Sequence, residues 1–353
     1  MTYIRKPVAR HPKLAQNSLG LTVRDYEGKL STLCAGCGHD SVTAAIVRAF
    51  WQLEIEPYKV VKLSGIGCSS KTPTYFLNDA HGFNSVHGRM PSVATGANAA
   101  NGDLTYIGIS GDGDSLSIGL GQLAHAIRRN VNLTYVLENN GVYGLTKGQF
   151  SASADVGTKA KRGQVNLARP IDPALLAISL GATFVARSFS GDKDQLVPIL
   201  EAALRHKGFA LVDVISPCVT FNDHKGSTKS YMYTREHYHE VTEASLVPGC
   251  DPILANQAGS PGDRTVVTLH DGSQVRLHTV DGAYDPSDRP SAFAHLAHLA
   301  AQGEVATGIL YLEESEGDMH TMSGSVDTPM VELPYEALCP GSAALDKLMD
   351  EFR

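Results

Sequence analysis

The stretch LTYIGISGDGDSLSIGLGQLAHAIRRNVNLTYVLENNG, residues 104–141, decides the fold. Leu104 to Ile109 is a short apolar run with the composition of a strand, and it breaks at Ser110-Gly111-Asp112-Gly113-Asp114. Ile118, Leu120, Leu123, Ala124 and Ile127 then recur at helical spacing up to Asn130. Leu133 to Leu137 is a further apolar run, ending in Glu138-Asn139-Asn140-Gly141. Strand, turn, helix and strand in this order predict an open, mostly parallel α/β sheet. Ligands of such sheets sit outside the carboxyl ends of the strands, where both glycine-containing turns fall.

Working outward, the same alternation continues. A helix is predicted over Asp40 to Trp51 and a strand over Lys59 to Leu63, the latter running into Ser64-Gly65-Ile66-Gly67-Cys68. Helices are predicted over Asp172 to Leu180 and Asp192 to His206, and a strand over Ala210 to Ile215. Residues 1–30 read as an irregular lead-in and 31–225 as the ligand-binding domain. Residues 226–353 read as an appended, surface-facing region. It carries a β-hairpin (Val266 to Leu269 and Val275 to Leu277, joined by a primed turn at Asp271-Gly272), a helix near Ala292 to Ala301 and a last helix from Ser342 to Phe352.

The chain has 353 residues, 42% of them hydrophobic and 19% charged, enough for one large core or two ordinary ones and unlike a disordered, fibrous or disulfide-stapled chain. The formal net charge of -7 gives no electrostatic case for nucleic acid or an anionic membrane. No run approaches the roughly 18 apolar residues of a membrane span. Met1 to Lys13 is basic and lacks an apolar core, so cytoplasmic residence with reduced thiols is expected. Six cysteines are too sparse for a disulfide framework, so a metal or redox role leads for any clustered pair.

Two chemistries stand out. Glycines around Asp112 let backbone amides approach an anion at a helix start. A carboxylate there suits a divalent cation that bridges to a diphosphate. Asp112 offers one hard oxygen, Asn140, 28 residues later, a second, and the Val142 carbonyl a third. The other chemistry is sulfur. Cys34-Ala35-Gly36-Cys37 is a tight turn with two thiols, while Cys68 and Cys218 each follow a strand. The spacing alone leaves zinc, thioredoxin-like redox chemistry and an iron–sulfur cluster all open. Cys250 and Cys339 read as ordinary cysteines.

Gly-Asp-Gly followed at this distance by Asn resembles the thiamine diphosphate motif. The ordered set Cys34-Ala-Gly-Cys37-Gly-His39, Gly65-Ile-Gly-Cys68-Ser69, Val86-His87-Gly88-Arg89, Gly111-Asp-Gly-Asp114, Asn140-Gly-Val-Tyr-Gly-Leu-Thr-Lys-Gly-Gln149 and Pro217-Cys218 resembles the β subunit of the 2-oxoacid:ferredoxin oxidoreductases, most closely the 2-oxoglutarate type. The resemblance covers about residues 30–225. It implies a thiamine diphosphate-binding fold, a parallel sheet with helices on both faces. It also implies one 4Fe-4S cluster on Cys34, Cys37, Cys68 and Cys218, and Mg²⁺ on Asp112, Asn140 and the Val142 carbonyl. Ile66, Gly67, Cys68, Ser69, His87, Gly113, Asp114, Gly144 and Leu145 would line thiamine diphosphate. Lys71 and Lys147 would steer substrate carboxylates, and His87 would be a polar site residue, a role His39 could share. The family implies oxidative decarboxylation of a 2-oxoacid to an acyl-coenzyme A, reversible as a carboxylation, with electrons passed to ferredoxin. An α subunit, in an αβ dimer of dimers, would complete the site, since no Glu here is assignable to the aminopyrimidine of thiamine and there is no C-x₂-C-x₂-C-x₃-C run. The alternatives are a non-redox thiamine decarboxylase or carboligase with a structural zinc, and a zinc-stabilised scaffold subunit without catalysis.

Overall fold

The computed structural model describes residues 11–160, 163–247, 264–280, 282, 284–313 and 317–353. Its centre is an eight-stranded sheet built from β1 (Val60–Ser64), β2 (His81–Asn84), β3 (Thr105–Gly111) and β4 (Leu133–Asn139), together with β7 (Phe184–Phe189), β8 (Phe209–Ile215), β9 (Tyr238–Glu240) and β13 (Val305–Leu312). The pair β5 (Val142–Tyr143) and β6 (Gln149–Phe150) lies outside it, as do β10 (Thr242–Val247), β11 (Arg264–Thr268) and β12 (Gln274–Thr279), which form a small antiparallel sheet. The order across the main sheet is β2-β1-β3-β4-β8-β7-β13-β9. The first six strands run parallel, β13 is antiparallel to β7, and β9 follows β13.

Helices cover both faces, because alternate side chains of a strand point to opposite sides. On β4, Val136 packs in one core with Val42, Ile46 and Phe50 of α1 (Gly38–Gln52). Leu133, Tyr135 and Leu137 pack in the other, with Met90 and Ala94 of α2 (Met90–Ala100), Leu123 and Ile127 of α3 (Leu120–Arg128) and Ile178 of α4 (Pro173–Ser179). The helix α5 (Lys193–Arg205) joins the first core through Leu196, Ile199 and Leu200. All seven residues of β4 and all seven of β8 are buried, as expected for the centre of a parallel sheet covered on both sides.

Two elements of the core carry no clear sequence signal. β7 contains Arg187, whose charge hides a fully buried strand. After Met90, α2 is built from Pro, Ser, Thr, Gly, Asn and Ala around a single Val, and shows little apolar contrast.

The surface-facing reading of the region after 225 is corrected by β13, seven of whose eight residues are buried in the central sheet. The hairpin is present, with β10 as a third strand, but its turn is not primed. Leu269 accepts from the Gly272 amide at 2.9 Å and pairs with Ser273, and in the turn only Gly272 has positive φ, at 79°. That is a type I turn closed by a glycine bulge, because a primed turn needs positive φ at both central residues. The last helix spans Ser342–Asp350. Cys250 lies outside the described residues.

Candidate functional site

The carboxyl ends of β1, β3 and β4 enclose a cavity of about 300 Å³. Ile66, Gly67, Cys68 and Ser69 enter from the loop after β1, His87 from the segment before α2, and Asp112 to Asp114 from the turn after β3. Asn140 and Val142 to Thr146 enter from the turn after β4. Asp112 begins a π-helical turn, Gly113–Ile118, that leads into α3. Such turns recur at functional sites. Gly113 is required by close approach: a Cβ there would stand 2.5 Å from the Tyr143 ring, whose hydroxyl donates to the Gly113 carbonyl at 2.9 Å.

Asp112 is 1% exposed. Burial pushes its carboxyl above the usual range, against the pull of hydrogen bonds from Ser151 and Ser153, the Asn140 amide and the charge of Lys229. Its two oxygens differ. Oδ2 accepts from the Gly141 amide at 3.1 Å, from the Ser153 hydroxyl at 2.5 Å and from the Ser151 hydroxyl. Among the described residues, Oδ1 has only the long contact with the Asn140 amide, at 3.5 Å. The Asn140 side-chain oxygen accepts from the Val142 amide at 3.0 Å, an Asx turn that fixes its direction, and Asn222 donates to the Asn140 carbonyl at 2.8 Å. Carboxylate, amide and carbonyl oxygens gathered in one wall are the hard donor set that suits Mg²⁺. Asp114 plays a different part. Its oxygens accept from the Gly88 amide and the Ser110 hydroxyl, both at 2.9 Å, so it ties the His87 segment to the turn after β3.

The structure brings the four cysteines Cys34, Cys37, Cys68 and Cys218 together. The Cys37 amide donates to the Cys34 carbonyl at 3.0 Å, and the Gly38 amide to the Pro217 carbonyl at 3.3 Å, docking the Cys-Ala-Gly-Cys turn beside Cys218. The Thr220 hydroxyl contacts Cys34 Sγ at 3.6 Å. A Cβ on Gly144 would lie 3.4 Å from Cys68 Sγ and 3.6 Å from Cys218 Sγ. Burial, reinforced by Glu138, Cys218 and Cys68, pushes the Cys37 thiol up to about 12. Cys68 is raised by burial and by its sulfur neighbours, against the charge of Lys71. Cys339 stands apart, exposed, after a short helix. Among the described residues, no three His, Cys, Asp or Glu side chains are grouped to hold a single metal ion.

Neither lysine lines the cavity. Lys71 lies in the short helix Ser69–Thr74, its charge acting on Cys68. Lys147 is exposed, in a left-handed backbone with φ of 81°, at the rim of a separate hollow of about 690 Å³. His87 and Leu145 line the cavity and remain exposed to solvent.

Sequence reasoning missed Glu138, although it stands directly before the Asn-Asn-Gly turn. It is 0% exposed, accepts from the Thr72 hydroxyl at 3.0 Å and lies 3.6 Å from His39 Nδ1. Burial raises the Glu138 carboxyl well above its ordinary range and lowers His39 to about 4. His39 Nδ1 also meets the Ser216 hydroxyl at 2.6 Å. A carboxyl inside an apolar strand is the one signal that pointed to it.

Residues 65–214 match the family described as thiamine pyrophosphate enzyme, C-terminal TPP binding domain. The chain is 43% identical over 223 residues to the 2-oxoacid:ferredoxin oxidoreductase subunit beta of Saccharolobus solfataricus, covering 63% of this chain and 70% of that one. It is 45% identical over 192 residues to the 2-oxoglutarate oxidoreductase subunit KorB of Mycobacterium tuberculosis, covering 54% and 51%. A solved structure, the 2-oxoglutarate:ferredoxin oxidoreductase from Magnetococcus marinus with 2-oxoglutarate, coenzyme A and succinyl-CoA bound, superposes with a TM-score of 0.70 at 30% identity, covering 89% of this chain and 91% of that chain.

Proposed function

Because the chain belongs to the β subunits of the 2-oxoacid:ferredoxin oxidoreductases, we propose that it holds the thiamine diphosphate, Mg²⁺ and a single 4Fe-4S cluster of a coenzyme A-dependent enzyme acting on 2-oxoglutarate. The observation that carries this reading is the adjacency of the two donor sets. The loop Gly67-Cys68-Ser69 belongs to the wall of the cavity, and Gly144, also in that wall, approaches two of the sulfurs. When bound, thiamine diphosphate supplies an electron sink for loss of CO₂ from a 2-oxoacid, and an iron–sulfur cluster supplies one-electron transfer.

The residues of the chain fit these groups. Asp112 Oδ1, the Asn140 amide oxygen and the Val142 carbonyl would hold Mg²⁺ against the diphosphate. Cys34, Cys37, Cys68 and Cys218 would hold the cluster. Burial opposes ionisation of Cys37 and Cys68, and the positive charge of iron would offset it. Ile66 and Leu145 would exclude water, and His39, neutral above about pH 4, would face the cofactor without adding charge. Lys147, exposed on the neighbouring hollow two residues beyond Leu145 of the cavity wall, would attract the second carboxylate that distinguishes 2-oxoglutarate from a monocarboxylic substrate. An α subunit would complete the site, in an αβ dimer of dimers, and ferredoxin would take the electrons. Among the described residues no helix is long and apolar enough to cross a membrane.

The test is anaerobic purification with the α subunit. A brown protein with broad visible absorption, stoichiometric thiamine diphosphate, and ferredoxin reduction dependent on 2-oxoglutarate and coenzyme A is expected. A colourless protein carrying zinc overturns the reading.

A further inference from the structure

The polar groups behind Asp112 form a buried line that crosses three neighbouring strands, and none of the proposed ligands explains it. Arg187 on β7 stands beside Asp213 on β8 in register. The Arg187 Nε donates to Asp213 Oδ2 at 2.7 Å, and its NH2 group donates to Asp172 Oδ1 at 2.6 Å. Asp213 Oδ1 accepts from the Asn139 side-chain amide on β4 at 3.0 Å. That bond points Asn139 Oδ1 at Ser153 Oγ, 2.9 Å away, and Ser153 reaches Asp112 Oδ2 at 2.5 Å. Asp112, Asn139, Ser153 and Asp213 are each no more than 1% exposed.

A buried ion pair is a poor device for stability, since desolvation offsets much of the attraction and an apolar pair of the same volume does as well. What this one supplies is direction. Asp213 has donors on both oxygens, so it holds the Asn139 amide in one of its two orientations. Ser153 Oγ carries one proton and has two acceptors, Asn139 Oδ1 and Asp112 Oδ2, so Asn139 restricts that proton to a position shared between them. Ser153, with Ser151 and the Gly141 amide, saturates Asp112 Oδ2 and leaves Oδ1 as the oxygen with capacity for a cation.

We propose that Asp213, Arg187, Asn139 and Ser153 are a positioning relay that selects which oxygen of Asp112 meets the divalent cation. The inference rests on the reading that Asp112 holds that cation. The relay touches neither the diphosphate nor the sulfurs, so it acts on metal affinity and leaves the cluster alone.

The probe is Mn²⁺, titrated by its paramagnetic resonance into the αβ enzyme in the presence of thiamine diphosphate. Outer-shell partners of metal ligands typically change affinity by about 10–100-fold, and Ser153→Ala is expected to weaken Mn²⁺ binding in that range. Ser153→Thr, which keeps the hydroxyl, is expected to restore most of it. Asp213→Asn can accept from Arg187 or from Asn139 but not from both without presenting its own amide to a donor, and it is expected to weaken Mn²⁺ in the same direction. The visible spectrum of the cluster and the melting temperature of the cofactor-free protein are expected to stay at wild-type values in the Ser153 variants. Wild-type Mn²⁺ affinity in both Ser153→Ala and Asp213→Asn overturns the relay. A fall in cofactor-free melting temperature that accounts for the whole affinity loss also overturns it, because the residues would then be merely structural. A wild-type enzyme that binds no Mn²⁺ with thiamine diphosphate overturns the cation reading first, and the relay with it.

Discussion

The oxygen-lined and sulfur-lined halves of the site are built on opposite principles. Around Asp112, every strong donor is already in place: two serine hydroxyls and a backbone amide fix one carboxylate oxygen, and an Asx turn fixes Asn140. Around the cysteines little is compensated. Burial and neighbouring sulfurs push Cys37 and Cys68 toward the neutral thiol, and only Lys71 draws Cys68 the other way. The first half is preorganised by the fold. The second is a set of like groups that become favourable only when positive charge arrives, as expected where metal binding and thiol deprotonation are coupled. Losing one ligand should therefore have different consequences in the two halves.

The largest effect is expected from Cys218→Ser, which should abolish reduction of ferredoxin or a viologen while thiamine diphosphate, measured by release and fluorescence, stays bound. Full electron transfer in that variant would break the comparison at its sulfur end. Next comes Asp112→Asn. If Asp112 is the direct ligand proposed, the loss of Mg²⁺-dependent thiamine diphosphate affinity should exceed the roughly 100-fold upper range of outer-shell changes, with the visible spectrum unchanged. Calorimetric titration reads it, and an unchanged affinity would refute the oxygen half.

Gly113→Ala is a packing test of the same turn. The added methyl meets the Tyr143 ring at 2.5 Å, and overpacking of this kind costs about 1–3 kcal/mol. The melting temperature should fall and should recover in the double variant with Tyr143→Ala, since the clash is with that ring.

The smallest effect concerns pH in the cluster-free chain. Cys37 ionises near 9 when unfolded and about 12 when folded. Between those values the unfolded chain releases a proton that the folded chain keeps, so stability falls as pH rises, by up to about 1 kcal/mol per pH unit for this partly exposed group. Cys37→Ser should flatten that slope in denaturant melts from pH 9 to 11. An identical slope in both chains would mean that the Cys37 thiol is not strained by its surroundings.

Much of the fold was legible because its signals are local. Leu133 to Leu137 reads as a strand and Leu120 to Ile127 as a helix from neighbours within one or two turns. β7 did not, because the charge of Arg187 is satisfied by Asp172 and Asp213, which lie 15 and 26 residues away and meet it only in the folded sheet. The region after 225 reads as an appendage because the antiparallel pairing of β13 with β7 joins segments more than a hundred residues apart.

The site divides in the same way. By itself the sequence determined the chemical vocabulary: Gly-Asp-Gly with Asn140 beyond it, the Cys-Ala-Gly-Cys turn, two cysteines after strands, and with them the family. These are residue types at spacings, and turn geometry acts over a few residues. Only the tertiary structure decided which atoms meet. It placed Gly144 against Cys68 and Cys218, tied Asp114 in the cavity wall to Gly88 and Ser110, buried Glu138 beside His39, and saturated one oxygen of Asp112 while leaving the other. The reason is physical. Burial sets the cost of an unpaired polar atom, and the partners that meet that cost come from distant strands brought together only by the sheet.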